Sequence, residues 1–121
     1  MNKRTLVIGA STHPERYAFL AVNKLRANNH EVVALGIKKG DINGTPVETE
    51  RKPFKDIATV TLYINPEIQK QYYDYILNVI QPKRIIFNPG AENPEFEKMA
   101  KQQGIETLEA CTLVMLSTGQ Y

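Results

Sequence analysis

Three places in this chain carry residue types and spacings that could do chemistry. The first is Gly9-Ala10-Ser11-Thr12, directly after the apolar run Leu6-Val7-Ile8. A glycine there lets a ligand approach the main chain, the Ser11 hydroxyl can donate to an anionic oxygen, and N–H groups at a following helix start attract phosphate. The second is Lys38-Lys39, two ammonium groups just beyond the next apolar run, Val32 to Leu35. The third is Cys111, the only cysteine, which is either a thiol nucleophile or a small core residue.

Against the dinucleotide-binding pattern G-x-G-x-x-G the chain offers Gly9, then Ser11, then Pro14, so the first motif is incomplete and a strand-to-helix turn without a ligand competes with it. His13 could bond a phosphate or simply face solvent, and His30 has no partner visible in sequence. Glu92 is a lone carboxylate, which is thin support for acid–base work. Tyr72 and Tyr75 have the spacing of packing residues, with Tyr73 pointing elsewhere; a nucleic-acid stacking role would need a basic setting.

The bulk numbers bound the rest. A chain of 121 residues with 42% hydrophobic content buries one core, which makes a single domain of residues 1–121 the expectation. Fifteen Lys and Arg against thirteen Asp and Glu leave a formal charge of +2, too little for a nucleic-acid coat or a membrane patch. One cysteine permits neither an internal disulfide nor a cysteine-based zinc site, and no metal site is expected. The start, Met1-Asn2-Lys3-Arg4, is basic, but its apolar run breaks at Gly9, and nothing approaches a membrane span; a soluble, cytoplasmic protein is expected.

Positioning those groups falls to alternating strands and helices. Thr12 and Glu15 have the T-x-x-E spacing of a capping box with Pro14 in the first turn, which predicts a helix from Pro14 to Asn28 with Ala18, Val22 and Leu25 inward and Tyr17 and Ala21 beside them. A second strand follows at 31–35, then a loop turning at Asn43-Gly44 with room for one very short strand near Thr45 to Val47. A third strand at 59–64 leads to a helix capped by Asn65 with Pro66 first, and Ile68, Tyr72, Tyr75, Ile76 and Val79 are spaced to face inward. A fourth strand at 84–87, a second Asn-Pro helix start at Asn93-Pro94, a fifth strand at 105–109 and a closing helix at 110–116 complete the pattern. The expectation is an α/β, Rossmann-like, doubly wound parallel sheet of five strands in the order 3-2-1-4-5, helices on both faces. That order sets strands 1 and 4 side by side, so that Gly9–Thr12 and Asn88–Asn93 flank one crevice.

Val7-Ile8-Gly9-Ala10-Ser11 with Pro14 and Tyr17, Val33 to Lys39 with Asn43-Gly44, Gly90 to Glu95, Gly104-Ile105 and the late Cys111 together resemble the small stand-alone CoA-binding proteins, whose Rossmann-like fold is shared with the CoA-binding domain of the succinyl-CoA synthetase alpha subunit. The resemblance covers nearly the whole chain. It implies coenzyme A or an acyl-CoA as ligand, with phosphates near Gly9, Ala10, Ser11 and Thr12, Tyr17 beside them, and the nucleotide end near Lys38 and Lys39. Asn65 and Pro66 would border the nucleotide and pantetheine, and Asn88, Gly90, Ala91 and Glu92 the pantetheine arm. Many relatives have Trp before the fourth-strand glycine loop and Cys-Pro near the end, where this chain has Phe87-Asn88-Pro89-Gly90 and Cys111-Thr112.

The residues themselves support a nucleotide with an extra phosphate. NAD sites place an acidic residue at the end of the second strand, whereas Leu35-Gly36-Ile37-Lys38-Lys39 suits a phosphorylated ribose, as in CoA or NADP. The charging subunit and phosphorylated histidine of the related ligases have no counterpart here, so a non-catalytic carrier, sensor or regulatory module is the expectation, alone as a homodimer or with a partner enzyme. An NADP-dependent oxidoreductase or sensor and a ligand-free interaction module are the alternatives.

Overall fold

The computed structural model describes residues 4–121; Met1 to Lys3, most of the basic start of the chain, lie outside the described residues. Apolar runs rich in β-branched residues build the centre of one sheet. β1 (Arg4–Ile8), β2 (Val32–Leu35), β5 (Ile57–Leu62) and β6 (Arg84–Phe87) are buried along nearly their whole length, as strands covered on both faces must be. They run parallel, with β1 between β2 and β5 and Val7 opposite both Ala34 and Thr61. β7 (Glu106–Glu109) adds a parallel edge beside β6. At the other edge β4 (Thr45–Glu48) is parallel to β2, and β3 (Gly40–Ile42) is antiparallel to β4.

The sheet therefore has seven strands in the order β3-β4-β2-β1-β5-β6-β7, not five in the order 3-2-1-4-5. Two physical causes account for the difference. Asn43 and Gly44, at φ 47° and 95°, form the two-residue turn that a hairpin requires, and the Gly44 N–H donates to Asp41 Oδ2 at 2.8 Å. This local hairpin takes the outer edge of β2. The strand at 57–62 is thereby placed on the free side of β1, and β6 pairs with it rather than with β1.

Helices cover both faces. Leu6 and Ile8 point to a core with Leu62, Ile85, Phe87 and Phe96, while Val7 points the other way, to a core with Ala18, Val22, Leu25, Ala34 and Leu116. α1 (Tyr17–Ala27) and α4 (Thr112–Ser117) lie on the second side. On the first side are α2 (Pro66–Gln69), a 3₁₀ turn at Lys70–Tyr72, a π-helical stretch at Tyr75–Ile80, and α3 (Pro94–Gln102). Asn65 and Asn93 cap α2 and α3 through Ile68 and Phe96 N–H, at 2.9 and 3.1 Å.

Two helix expectations are corrected. α1 starts at Tyr17, and Arg16 precedes it with no side-chain cap, so Thr12 and Glu15 form no capping box. The Arg16 N–H bonds His13 O at 3.0 Å and the His13 N–H bonds Ser11 Oγ at 3.2 Å, a turn that holds the residues before the helix. Tyr17 is consequently the first helical residue, its side chain tilts back over that turn, and it is 71% exposed instead of packed. In the second helical segment the change from a 3₁₀ to a π-helical pitch shifts the phase of the pattern. Tyr72, Tyr75 and Ile76 are buried, but Ile68 and Val79 emerge 40% and 44% exposed. Among the described residues no helix is long and apolar enough to cross a membrane.

Candidate functional site

Adjacent β1 and β5 send their following helices to opposite faces, and the carboxyl ends of two such strands leave a crevice between them. A cleft of about 240 Å³ opens there. Gly9, Ser11, Arg16, Tyr17 and Ala18 line it from the β1–α1 side, Tyr63, Ile64 and Asn65 from the end of β5, and Pro89, Gly90 and Ala91 from the loop after β6. The loops at Gly9–Thr12 and after Phe87 thus meet across one crevice, although β5 stands between their strands.

Close backbone contact explains the glycines. Gly9 has φ 97°, and a Cβ on it would lie 2.9 Å from the Tyr63 carbonyl oxygen; its freedom serves the approach of β1 to β5. A Cβ on Gly36 would collide with the Ala10 carbonyl oxygen, and one on Gly40 with the Thr12 methyl group. These two contacts draw the loop after β2 against the loop after β1, with the exposed Lys38 and Lys39 in the chain just before Gly40. Neither lysine forms an ion pair among the described residues.

The donors in the first loop divide into used and unused. Gly9 and Ala10 N–H both donate to Leu35 O, at 2.9 and 3.0 Å, and Ala10 is buried in the core. Ser11 and Thr12 N–H have no acceptor among the described residues. The Ser11 hydroxyl accepts from His13 N–H and keeps its own proton to donate. Arg16, exposed at the start of α1, adds a guanidinium at the positive end of an eleven-residue helix. His13 makes only a loose pair with Glu15 at 3.8 Å, both exposed.

On the opposite wall Asn88-Pro89-Gly90-Ala91 is a type II turn: Ala91 N–H bonds Asn88 O at 2.8 Å and Gly90 has φ 94°. Glu92 turns back so that Oε1 accepts from Gly90 N–H at 2.8 Å, which occupies the carboxylate expected beside a ligand. Asn88 is buried and spent within the protein. Its Nδ2 donates to Thr61 Oγ1 and Leu62 O, at 2.6 and 2.9 Å, and its Oδ1 accepts from Thr112 N–H at 2.9 Å. Asn65 lines the cleft but uses its side-chain oxygen as a cap, and Pro66 is the exposed first residue of α2. Cys111 is half-buried at the start of α4 and does not line the cleft.

Three residues of the site were not singled out from sequence. Arg16 falls inside the helix expected from Pro14, whereas α1 begins just after it, at Tyr17. Gln69 is fully buried, donating to Ile64 O and Ala91 O and accepting from Asn93 Nδ2, so it rivets the loops after β5 and β6 together. Tyr63 forms part of the cleft wall, while its hydroxyl sits inside, beside the Thr61 and Thr112 hydroxyls but at hydrogen-bonding geometry with no described group. Burial pushes this phenol up to about 12. The one usable signal was Gln69, a polar residue on the inward stripe of its helix.

Residues 3–117 match the sequence profile of the family described as the CoA binding domain. The chain belongs to this CoA-binding domain family. One solved relative, described only as an uncharacterised protein, is 46% identical with a TM-score of 0.96, over 100% of this chain and 99% of that one. A hypothetical protein from Pyrococcus horikoshii, at 22% identity and TM-score 0.86 over 97% and 83% of the two chains, shares the fold. So does a cell-free-produced protein from Thermus thermophilus, at 21% and 0.85 over 99% and 91%. No curated protein matches this CoA-binding domain.

Proposed function

We propose that the cleft binds coenzyme A or an acyl-CoA, and that the protein acts as a non-catalytic carrier, sensor or regulatory module. Family membership supports the ligand class. The observation that carries the location is the set of unspent donors around Ser11: its N–H and hydroxyl, the Thr12 N–H and the Arg16 guanidinium, at the N-terminus of α1. The pyrophosphate lies there, the 3′-phosphate between Lys38 and Lys39, and the pantetheine arm along Tyr17, Ile64 and Pro89 to Ala91. Tyr17, Ser11, Gly9, Asn65, Gly90 and Ala91 contact ligand in this reading; Ala10, Pro66, Asn88 and Glu92 shape the walls. A non-catalytic role is supported by the state of the one carboxylate near the arm, which is held by a main-chain N–H.

Thermal unfolding with CoA, dephospho-CoA, NADP and NAD at equal excess tests this. A ligand at a hundred times its dissociation constant stabilises by about 2.7 kcal/mol, several degrees for a domain of this size. CoA stabilises most, dephospho-CoA less, and Lys38→Glu with Lys39→Glu removes the difference between them. Arg16→Glu and Ser11→Asp each weaken CoA by about tenfold or more, the worth of a charged hydrogen bond replaced by repulsion. Stabilisation by NADP alone, or undiminished CoA affinity in both folded variants, would overturn the assignment.

A further inference from the structure

Gln69 is a long polar side chain with no exposure at all, and such a group is tolerated inside only when its polar atoms are bonded. Both protons of its Nε2 go to main-chain carbonyls of two different loops that line the cleft: Ile64 O at 2.8 Å, after β5, and Ala91 O at 2.7 Å, after β6. Its Oε1 accepts from Asn93 Nδ2 at 2.9 Å. The Asn93 amide cannot turn over, because its oxygen caps α3 through Phe96 N–H at 3.1 Å and its other proton goes to Tyr73 Oη at 2.8 Å. The start of α3 thus dictates which way the Gln69 amide faces, and Gln69 dictates how far apart the two loops stand.

The same bonds orient the main chain beyond each carbonyl. The peptides are trans, and in a trans peptide the C=O and the N–H point in opposite directions. With Ile64 O and Ala91 O turned to Gln69, the N–H groups of Asn65 and Glu92 point away from it. Neither has an acceptor among the described residues. Ile64, Asn65 and Ala91 line the cleft and Gln69, behind them, does not, so the open side is the one to which these N–H groups turn. The cleft's cationic side chain, Arg16, belongs to the start of α1. Donors at this end therefore suit uncharged carbonyl oxygens rather than phosphate.

We infer that Gln69 is a positioning residue for the arm of the ligand: it sets the spacing of the loops after β5 and β6 and aims the Asn65 and Glu92 N–H groups at amide carbonyl oxygens of a pantetheine chain. This rests on the CoA reading of the cleft, and the two can fail separately.

Calorimetry with CoA and with adenosine 3′-phosphate 5′-diphosphate, which is CoA without the arm, tests the role of Gln69. Gln69→Glu keeps the shape but removes the donors, and Gln69→Met removes all the bonds. Each lowers the ratio of the two affinities by about tenfold, the worth of hydrogen bonds lost in a site sheltered from water, and leaves the arm-less ligand unchanged. A purely structural role would weaken both ligands alike. Wild-type protein answers even if neither variant folds: CoA slows hydrogen exchange at the Asn65 and Glu92 amides by about tenfold or more, and the arm-less ligand does not. An unchanged affinity ratio in a folded variant, or CoA bound without protection of these two amides, overturns the proposal and spares the cleft. Absence of CoA binding to the wild-type protein removes both.

Discussion

Asn88 shows how one side chain can organise a site without touching a ligand. It satisfies a hydroxyl of β5, a carbonyl at the end of the same strand and the first N–H of α4, all out of water. Removing it strands buried donors and acceptors, and that costs more than the bonds themselves contribute. Asn88→Ala is expected to lower stability by about 3 kcal/mol in urea unfolding, whereas Glu92→Gln, on the exposed rim, changes it by less than about 0.5 kcal/mol. The sequence placed Asn88 in the right loop because Pro89 and Gly90 mark a turn. Its inward direction was illegible, since an asparagine before Pro-Gly suits a solvated turn equally well. Arg16 was illegible for the opposite reason: its place at the mouth of the cleft depends on where α1 begins, and the turn through Ser11 and His13 settles that.

Among the elements, the segment after β5 departs most from regular geometry. It passes from α to 3₁₀ to π pitch and ends at Gln81 with φ 51°. The left-handed position is one that glycine takes at less cost, and the Gln81 N–H bond to Ile76 O at 2.9 Å is a main-chain bond that a glycine keeps. Gln81→Gly should therefore stabilise the protein by about 0.5–1 kcal/mol, read as a rise of a few degrees in thermal unfolding. At the β7 edge, burial and the neighbouring Glu109 carboxyl raise the Glu97 carboxyl, so its folded form holds its proton to higher pH than the unfolded chain does. Glu97→Gln is expected to stabilise slightly at neutral pH and to lose that advantage in acid, where both carboxyls are protonated in either state. The helix starts at Asn65-Pro66 and Asn93-Pro94 were legible because caps act over one turn. The shift to π pitch was not, since it answers to packing against the whole sheet.

For the whole molecule, burial of aromatic hydroxyls makes stability depend on alkaline pH. Tyr63 and Tyr75 are both pushed up to about 12 from an ordinary value of 10, chiefly by burial. Between pH 10 and 12 the unfolded chain has released these protons and the folded one still holds them. Stability, complete below pH 10, is then lost as pH rises through that window. Urea midpoints measured from pH 9 to 12 should fall, and Tyr63→Phe with Tyr75→Phe should flatten the decline. The neutral-pH plateau, in contrast, is where CoA and its acyl derivatives are to be tested.

Patterns that act over one turn or one strand were decided by the sequence by itself: parallel buried strands from continuous apolar runs, the Asn43-Gly44 turn, two capped helices, and the loops at Gly9–Thr12 and Asn88–Asn93. Which strands stand side by side was decided only by the tertiary structure. An apolar run on a two-sided sheet carries no label for its neighbour, so the place of β5 beside β1 follows from the hairpin's claim on the edge of β2 and from the joint packing of both helical layers. The same is true of the cleft, whose walls come from three loops separated in sequence by dozens of residues and brought together by contacts no local pattern encodes.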